Sequence, residues 1–256
     1  MNEITVGAAR VPYRVLGQGR PLVLVHGTSV GSRNWDGVAA AFQDTRTVVL
    51  PDLSGSDAAR DDGGELTVES LAEQVAAVIT ATGAGPADVV GHSMGAAVVA
   101  ALAAGRPDLV RRIALVTGPV DQSDNYFHHA MLLWRGLAED PAAFARLAML
   151  LAFSRAHLAT LSPAAVDELA AGYLPAPGRL RQLDLVLRLD IRDLLPRIQA
   201  PALVIACTHD AILAVDGPRQ LAAGIPDSTY AEIDCGHMPM FEKPDELTKL
   251  VRDFLE

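Results

Sequence analysis

Lysine is almost missing from this sequence. It occurs only at Lys243 and Lys249, and 31 acidic against 21 basic residues leave a formal charge of −10. No basic run interrupts that bias, so neither nucleic acid nor an anionic membrane surface is an expected partner. Cysteine is as scarce. Cys207 and Cys235 are too few for a disulfide scaffold and lack the spacing of a metal site, so neither a metal nor a cofactor is expected. They close two segments that read as neighbouring strands and are expected to be buried free thiols. Long apolar runs are absent too: a stretch such as Ala96 to Ala104 is too short to span a bilayer and is closely followed by arginine. The opening residues, Met1-Asn2-Glu3-Ile4, carry neither the basic nor the apolar region of a secretory signal, and a cytoplasmic location is the expectation.

What the chain does have is a core. Half of its 256 residues are hydrophobic, enough for one large α/β domain. Ile4 to Val6 and Tyr13 to Leu16 read as short strands joined by a proline-containing turn. The continuous apolar run from Leu22 to Val25 reads as a strand buried on both faces. Further strands are expected at Thr47 to Leu50, Ala87 to Val90, Arg112 to Val116, Leu203 to Ala206 and Ser228 to Ile233. Helical patterns lie between them: Arg33 to Phe42, Thr67 to Thr82 with Thr67 or Ser70 as cap, the Ala/Val-rich run after Gly95, Pro218 to Ala223, and Pro244 to Glu256. Strands alternating with helices imply a mostly parallel sheet. From 119 to 196 the rhythm breaks, with helical segments at Ala130 to Leu137, Ala142 to Phe153 and Pro163 to Ala171. That stretch is expected to be a helical lid inserted into a core made of 1–118 and 197–256.

Chemistry enters at Gly91-His92-Ser93-Met94-Gly95. A G-x-S-x-G pattern between an apolar strand and a helix is a nucleophile elbow, a turn sharp enough to expose the serine hydroxyl, with glycines where a Cβ would collide. The helix that follows points its first amides and its dipole at the place where an oxyanion would form. Met94 is therefore expected to offer one amide to it, and Thr28, in the loop after the Leu22 strand, the second. His26 in that loop is expected beside the pocket without a proton-transfer role. A serine nucleophile needs a base, and the base needs an orienting carboxylate. His237, between a strand and the last helix, fits the base in the order serine, acid, histidine, with His209 as rival. Asp210 follows a strand by a short turn and ranks first as the acid. Asp216 reads as a helix cap, Asp234 as a structural carboxylate and Asp121 as a less common position for the acid.

Taken together, these motifs resemble the α/β-hydrolase superfamily, in its esterase, haloperoxidase and lactonase-like branch. The resemblance rests on Leu22-Val-Leu-Val-His-Gly27 with Trp35 behind it, Asp52-Leu-Ser-Gly55, the elbow, the Asp210 turn, and Gly236-His237 with Glu242-Lys-Pro244. It covers most of the chain outside the lid. It departs at Cys207, Ser54, Asp57 and Ala96, where members commonly carry other residues, and none of these removes a catalytic group. The resemblance implies an α/β-hydrolase fold, a mostly parallel eight-stranded sheet flanked by helices, with the lid after the sixth strand.

The activity so implied is acyl transfer to water from a small ester, thioester or lactone through an acyl-enzyme on Ser93. Two other readings stay open at this point. One is an acyltransferase moving an acyl group from a carrier-protein or coenzyme thioester to an amine or alcohol, and the other is a ligand receptor on a hydrolase scaffold. Tyr126, His129, Trp134 and Met238 are expected to line an apolar substrate pocket, and His92 to be packed rather than catalytic. No feature of the sequence speaks to oligomeric state.

Overall fold

The computed structural model describes residues 2–28, 31–83 and 85–256. Eight strands form one sheet: β1 (Asn2–Val6), β2 (Ala9–Leu16), β3 (Arg20–Val25), β4 (Arg46–Pro51), β5 (Ala87–His92), β6 (Val110–Val116), β7 (Ala202–Cys207) and β8 (Ser228–Ile233). Their order across the sheet is β1-β2-β4-β3-β5-β6-β7-β8. Only the β1–β2 and β2–β4 pairs are antiparallel. The inner strands read as solid apolar runs because helices cover both faces, and every residue of β5 and β7 is buried.

Eleven helices among the described residues surround the sheet: α1 (Asp36–Ala39), α2 (Val68–Ala81), α3 (Met94–Gly105), α4 (Asn125–Gly136), α5 (Pro141–Ala152), α6 (Arg155–Leu158), α7 (Pro163–Ala171), α8 (Pro177–Val186), α9 (Asp216–Gly224), α10 (Pro239–Glu242) and α11 (Pro244–Leu255). Five of them, α4 to α8, lie between β6 and β7, where no described strand intervenes. Thr67 caps α2 in a reciprocal box, its hydroxyl accepting from the Ser70 amide at 3.0 Å while Ser70 Oγ accepts from the Thr67 amide at 3.1 Å.

Some expectations shift. The β1–β2 turn is Gly7-Ala8, with Gly7 at φ +57°, and Pro12 lies inside β2. Proline is tolerated there because the β2–β4 ladder begins one residue later, at Tyr13. The helix expected from Arg33 to Phe42 is a 3-10 turn at Ser32–Trp35 followed by the single turn α1. Asp216 is the first residue of α9 rather than its cap, and pairs with Arg219 at 3.5 Å.

Because β4 lies outside β3 on one side and β5 on the other, the chain reverses direction across the sheet between β3 and β5. Their carboxyl ends open into the crevice where ligands bind in such sheets. Helix α3 seals it from below, and from Met94 to Ala104 every residue is buried, six of them alanines that let the helix sit close on β5 and β6. Ser93 joins β5 to α3 at φ 55° and ψ −124°. A side chain on Gly91 would collide with the Gly95 carbonyl, and one on Gly95 with the carbonyls of Val25 and His26. Ala96 is accommodated because Gly118 faces its methyl group.

Gly95→Ala is therefore expected to lower unfolding free energy in urea by about 3 kcal/mol or abolish soluble expression, the upper end for overpacking a tight site. Gly105→Ala, in α3 with nothing near its Cβ, is the control, and a gain of about 0.5–1 kcal/mol is expected there. Equal effects at the two positions would contradict the close approach at Gly95.

Candidate active site

Three loops at the carboxyl ends of the strands bring together Ser93 after β5, Asp210 after β7 and His237 after β8. Ser93 Oγ lies 2.9 Å from His237 Nε2, and His237 Nδ1 lies 2.6 Å from Asp210 Oδ2. A carboxylate only accepts, so Nδ1 carries the proton and Nε2 is left to accept from the serine hydroxyl. Asp210 is held in turn by the amides of Ile212 and Leu213, which donate to its Oδ1 at 2.7 and 2.9 Å. Its side chain has no solvent exposure and that of His237 only 4%, so the chain of hydrogen bonds runs through a medium that screens it little.

The alternatives fall away by position. His209 is exposed and pairs with Asp234 at 2.7 Å, away from Ser93. Asp234 also accepts from Thr208 Oγ1 at 3.1 Å, a structural carboxylate as expected. Asp121 accepts from the Ser123 amide at 2.8 Å and pairs with Arg192 at 3.2 Å.

Two further histidines are locked in single tautomers. His26 Nδ1 donates to the Gly27 carbonyl at 2.7 Å, so Nε2 accepts from the Leu53 amide at 3.0 Å. This ties the loop 26–28 to the loop after β4. His92 Nε2 donates to the His237 carbonyl at 2.8 Å, and the two rings pack with centroids 4.9 Å apart. Trp35 meets the other side of His92 edge-on at 6.3 Å. His92 is thus a buttress behind His237.

The His237 loop has a second brace in Glu242, whose partners the sequence pattern did not give. Glu242 accepts from the Gly236 amide at 3.1 Å, from the Ser154 amide at 2.8 Å and from Ser154 Oγ at 2.6 Å. One carboxylate thereby fastens the residue beside His237 to the junction of α5 and α6.

A cavity of about 40 Å³ adjoins Ser93. Thr28, His237, Met238 and Trp134 line it. Thr28 Oγ1 also approaches Met94 Sδ at 3.6 Å, which sets the Thr28 loop against the start of α3. Tyr126 and His129 do not line it. Helix α4 turns Phe127, Met131 and Trp134 inward at helical spacing, which sends Tyr126 (65% exposed) and His129 outward. His26 is not a wall of the cavity either, because both its ring nitrogens are engaged by the loops it joins. Cys207 and Cys235 are buried and free, and the neighbouring Cys235 thiol together with burial pushes the Cys207 thiol far up.

No group of described residues has the makings of a metal site, and no described helix is long and apolar enough to cross a membrane.

Burial, with the His237 ring alongside, pushes the His92 imidazole down to about 3, and burial moves His26 in the same direction. Below pH 6.5 the unfolded chain binds protons that these folded histidines refuse, so stability falls as pH drops from 6.5 towards 3. One such group contributes a slope of up to about 1.4 kcal/mol per pH unit. Urea unfolding at pH 6.5, 5.5 and 4.5 should show this decline, and His92→Gln should make it shallower by about 1 kcal/mol per unit. Equal slopes in the two proteins would mean that His92 is not held neutral.

Comparison with known proteins agrees with this fold. The alpha/beta hydrolase fold family model matches residues 20–244. A pyrrolizixenacetamide deacetylase from Xenorhabdus hominickii is 38% identical over 260 residues, covering 100% of this chain and 98% of that protein. A pimeloyl-[acyl-carrier protein] methyl ester esterase from Chromobacterium violaceum is 32% identical, covering 94% and 96%. Among solved structures, the enol-lactonase from Burkholderia xenovorans LB400 superposes with a TM-score of 0.89 at 25% identity over 99% of both chains. With its fold, its elbow and these relatives in agreement, the chain belongs to the α/β-hydrolase family and is an α/β-hydrolase enzyme.

Proposed function

We propose that the protein hydrolyses an ester or amide carbonyl of a small molecule through an acyl-enzyme on Ser93. The observation that carries the reading is the unbroken chain Ser93 Oγ–His237–Asp210, at 2.9 and 2.6 Å, at the N-terminus of α3. In the first half-reaction Ser93 Oγ bonds to the carbonyl carbon while its proton passes to His237 Nε2. The oxyanion so formed takes hydrogen bonds from the amides of Met94 and Thr28. The carbon–heteroatom bond then breaks, and the leaving alcohol or amine carries away the proton from His237. In the second half-reaction water gives a proton to His237 and its oxygen attacks the acyl carbon. Ser93 leaves, recovers the proton, and the carboxylic acid is released.

Asp210 stays ionised throughout and stabilises the imidazolium that forms beside it. The helices α4 to α8 act as the lid, closing the apolar side of the cavity over Ser93. Amides join esters, thioesters and lactones as substrates in this reading, because the 38% identical relative is named for removing an acetyl group from an acetamide. The contacting thiols Cys207 and Cys235 suit a reducing, cytoplasmic setting.

A fluorophosphonate probe should label Ser93, and Ser93→Ala should abolish both labelling and ester turnover. His237→Ala should lower kcat/KM by about 10⁴-fold or more with little change in substrate binding. Product analysis with water alone against added amine or alcohol separates hydrolysis from acyl transfer. Absent labelling, or full activity in His237→Ala, would overturn the proposal.

A further inference from the structure

Two neighbouring cavities share walls beside the site, and they differ in size and enclosure. The inner one, at Ser93 and His237, holds about 40 Å³ and is the more enclosed. At roughly 10–15 Å³ for each water-sized group, it admits about three such groups. Apart from its polar end, its walls include Phe127, Met131, Trp134, Ala148 and Leu183, from the face of α4 and from α5 and α8. The outer one holds about 440 Å³ and is more open. It is lined by Phe153, Leu161, Leu169 and Phe241, with His157 and Glu168 among its polar walls. The walls common to both are Asn34 and Tyr173. Tyr173 is held neutral, its phenol pushed up to about 12 by burial.

The order of product release decides which half of a substrate each cavity receives. In an acyl-enzyme mechanism the alcohol or amine departs first, while the acyl group is still bonded to Ser93. A leaving group lodged in the enclosed cavity would have to pass that ester to escape. The leaving group therefore belongs on the open side, and the acyl group in the enclosed one. The volume then sets the chain length. Three water-sized groups accommodate a carbonyl and one or two further carbons, and each additional methylene must displace close-packed side chains.

We infer that the inner cavity takes an acyl group of two or three carbons and the outer groove, beyond Tyr173 and Asn34, takes a bulky apolar leaving group. The substrate class is then acetyl or propionyl esters or amides of large apolar alcohols or amines. This inference rests on the acyl-enzyme reading above.

The test needs first only the wild-type protein. With the leaving group fixed as 2-naphthol, kcat/KM should be greatest for acetyl or propionyl and fall about 1000-fold by hexanoyl, three methylenes beyond propionyl, since a pocket can discriminate about tenfold per methylene. With the acyl group fixed as acetyl, the 4-phenylphenyl ester should exceed the phenyl ester about tenfold, through KM, the two phenols being of similar acidity. Met131→Ala should move the acyl optimum towards butyryl or hexanoyl, and Leu161→Ala, in the outer groove alone, should weaken the leaving-group preference without moving the acyl optimum. Hexanoyl or octanoyl esters turned over as fast as acetyl by the wild type would overturn the assignment, as would a preference for the phenyl ester. Fluorophosphonate labelling of Ser93 separates the two levels. Labelling with a long-acyl preference sinks only the partition of the pocket, whereas no labelling sinks the acyl-enzyme reading itself.

Discussion

The site depends on one backbone constraint. Between β5 and α3 the chain must reverse at a non-glycine residue, Ser93, held at φ 55°, a conformation that costs energy and persists only where the surroundings enforce it. The enforcement is visible on both sides. The Ser93 amide donates to the Val116 carbonyl at 2.9 Å, and the Ser93 carbonyl accepts from the Ala96 amide at 2.9 Å. Gly91 and Gly95 remove the two Cβ atoms that would otherwise strike the Gly95 carbonyl and the carbonyls at the end of β3. The same closeness that forbids side chains there brings the loop 26–28 against the start of α3. The Thr28 loop and Ser93 then face one cavity.

What surrounds that turn is a set of histidines, each given one tautomer by one contact. His26 and His92 each donate to a backbone carbonyl, and His237 donates to a buried carboxylate. Burial keeps the His26 and His92 imidazoles neutral, and a neutral His92 tilted against His237 adds no charge to compete with the imidazolium of the proposed reaction. Only His237 combines a carboxylate on one nitrogen with a hydroxyl on the other. That difference in partners, rather than in residue type, singles out His237 as the proton carrier of the proposed reaction.

The legible parts of the sequence were those governed by local rules. The solid apolar strands, the elbow glycines, the order of Ser93, Asp210 and His237, and the Thr67 cap follow from periodicity, turn chemistry and capping, and the chain folds accordingly. The errors arise where one capping residue decides the face of a helix. Beginning α4 at Ala130 leaves Tyr126, His129 and Trp134 as equivalent aromatic candidates. Asp124, whose carboxylate accepts from the Tyr126 and Phe127 amides at 2.8 and 3.3 Å, starts the helix at Asn125 instead. From that start, Phe127, Met131 and Trp134 form a stripe at i, i+4 and i+7, and Tyr126 and His129 fall on the opposite face. The role of Glu242 was illegible for a different reason: its partner Ser154 is 88 residues away, and no local pattern announces a contact of that range.

The long-range contacts also explain how five helices without a strand of their own hold a fixed position over the sheet. They are fastened at both ends of the cavity. Near His237, Glu242 ties Ser154 to Gly236. On the other side, Gln182 Nε2 donates to the Ser54 carbonyl at 3.1 Å, and α8 begins so close to Gly55 that neither Gly55 nor Gly178 has room for a side chain. Ser54 is in turn locked to α2 through Gln74, whose side chain both accepts from its amide and donates to its hydroxyl at 2.9 Å. The loop after β4, where Ser54 and Asp57 depart from the family pattern, is therefore the seat of α8 and is not a wall of the inner cavity. Substitutions there act on the pocket by moving α8, which carries Leu183 and Val186 into its wall, and so by changing its volume before its chemistry. In a cavity of about 40 Å³, a shift of one methyl group's width alters what fits.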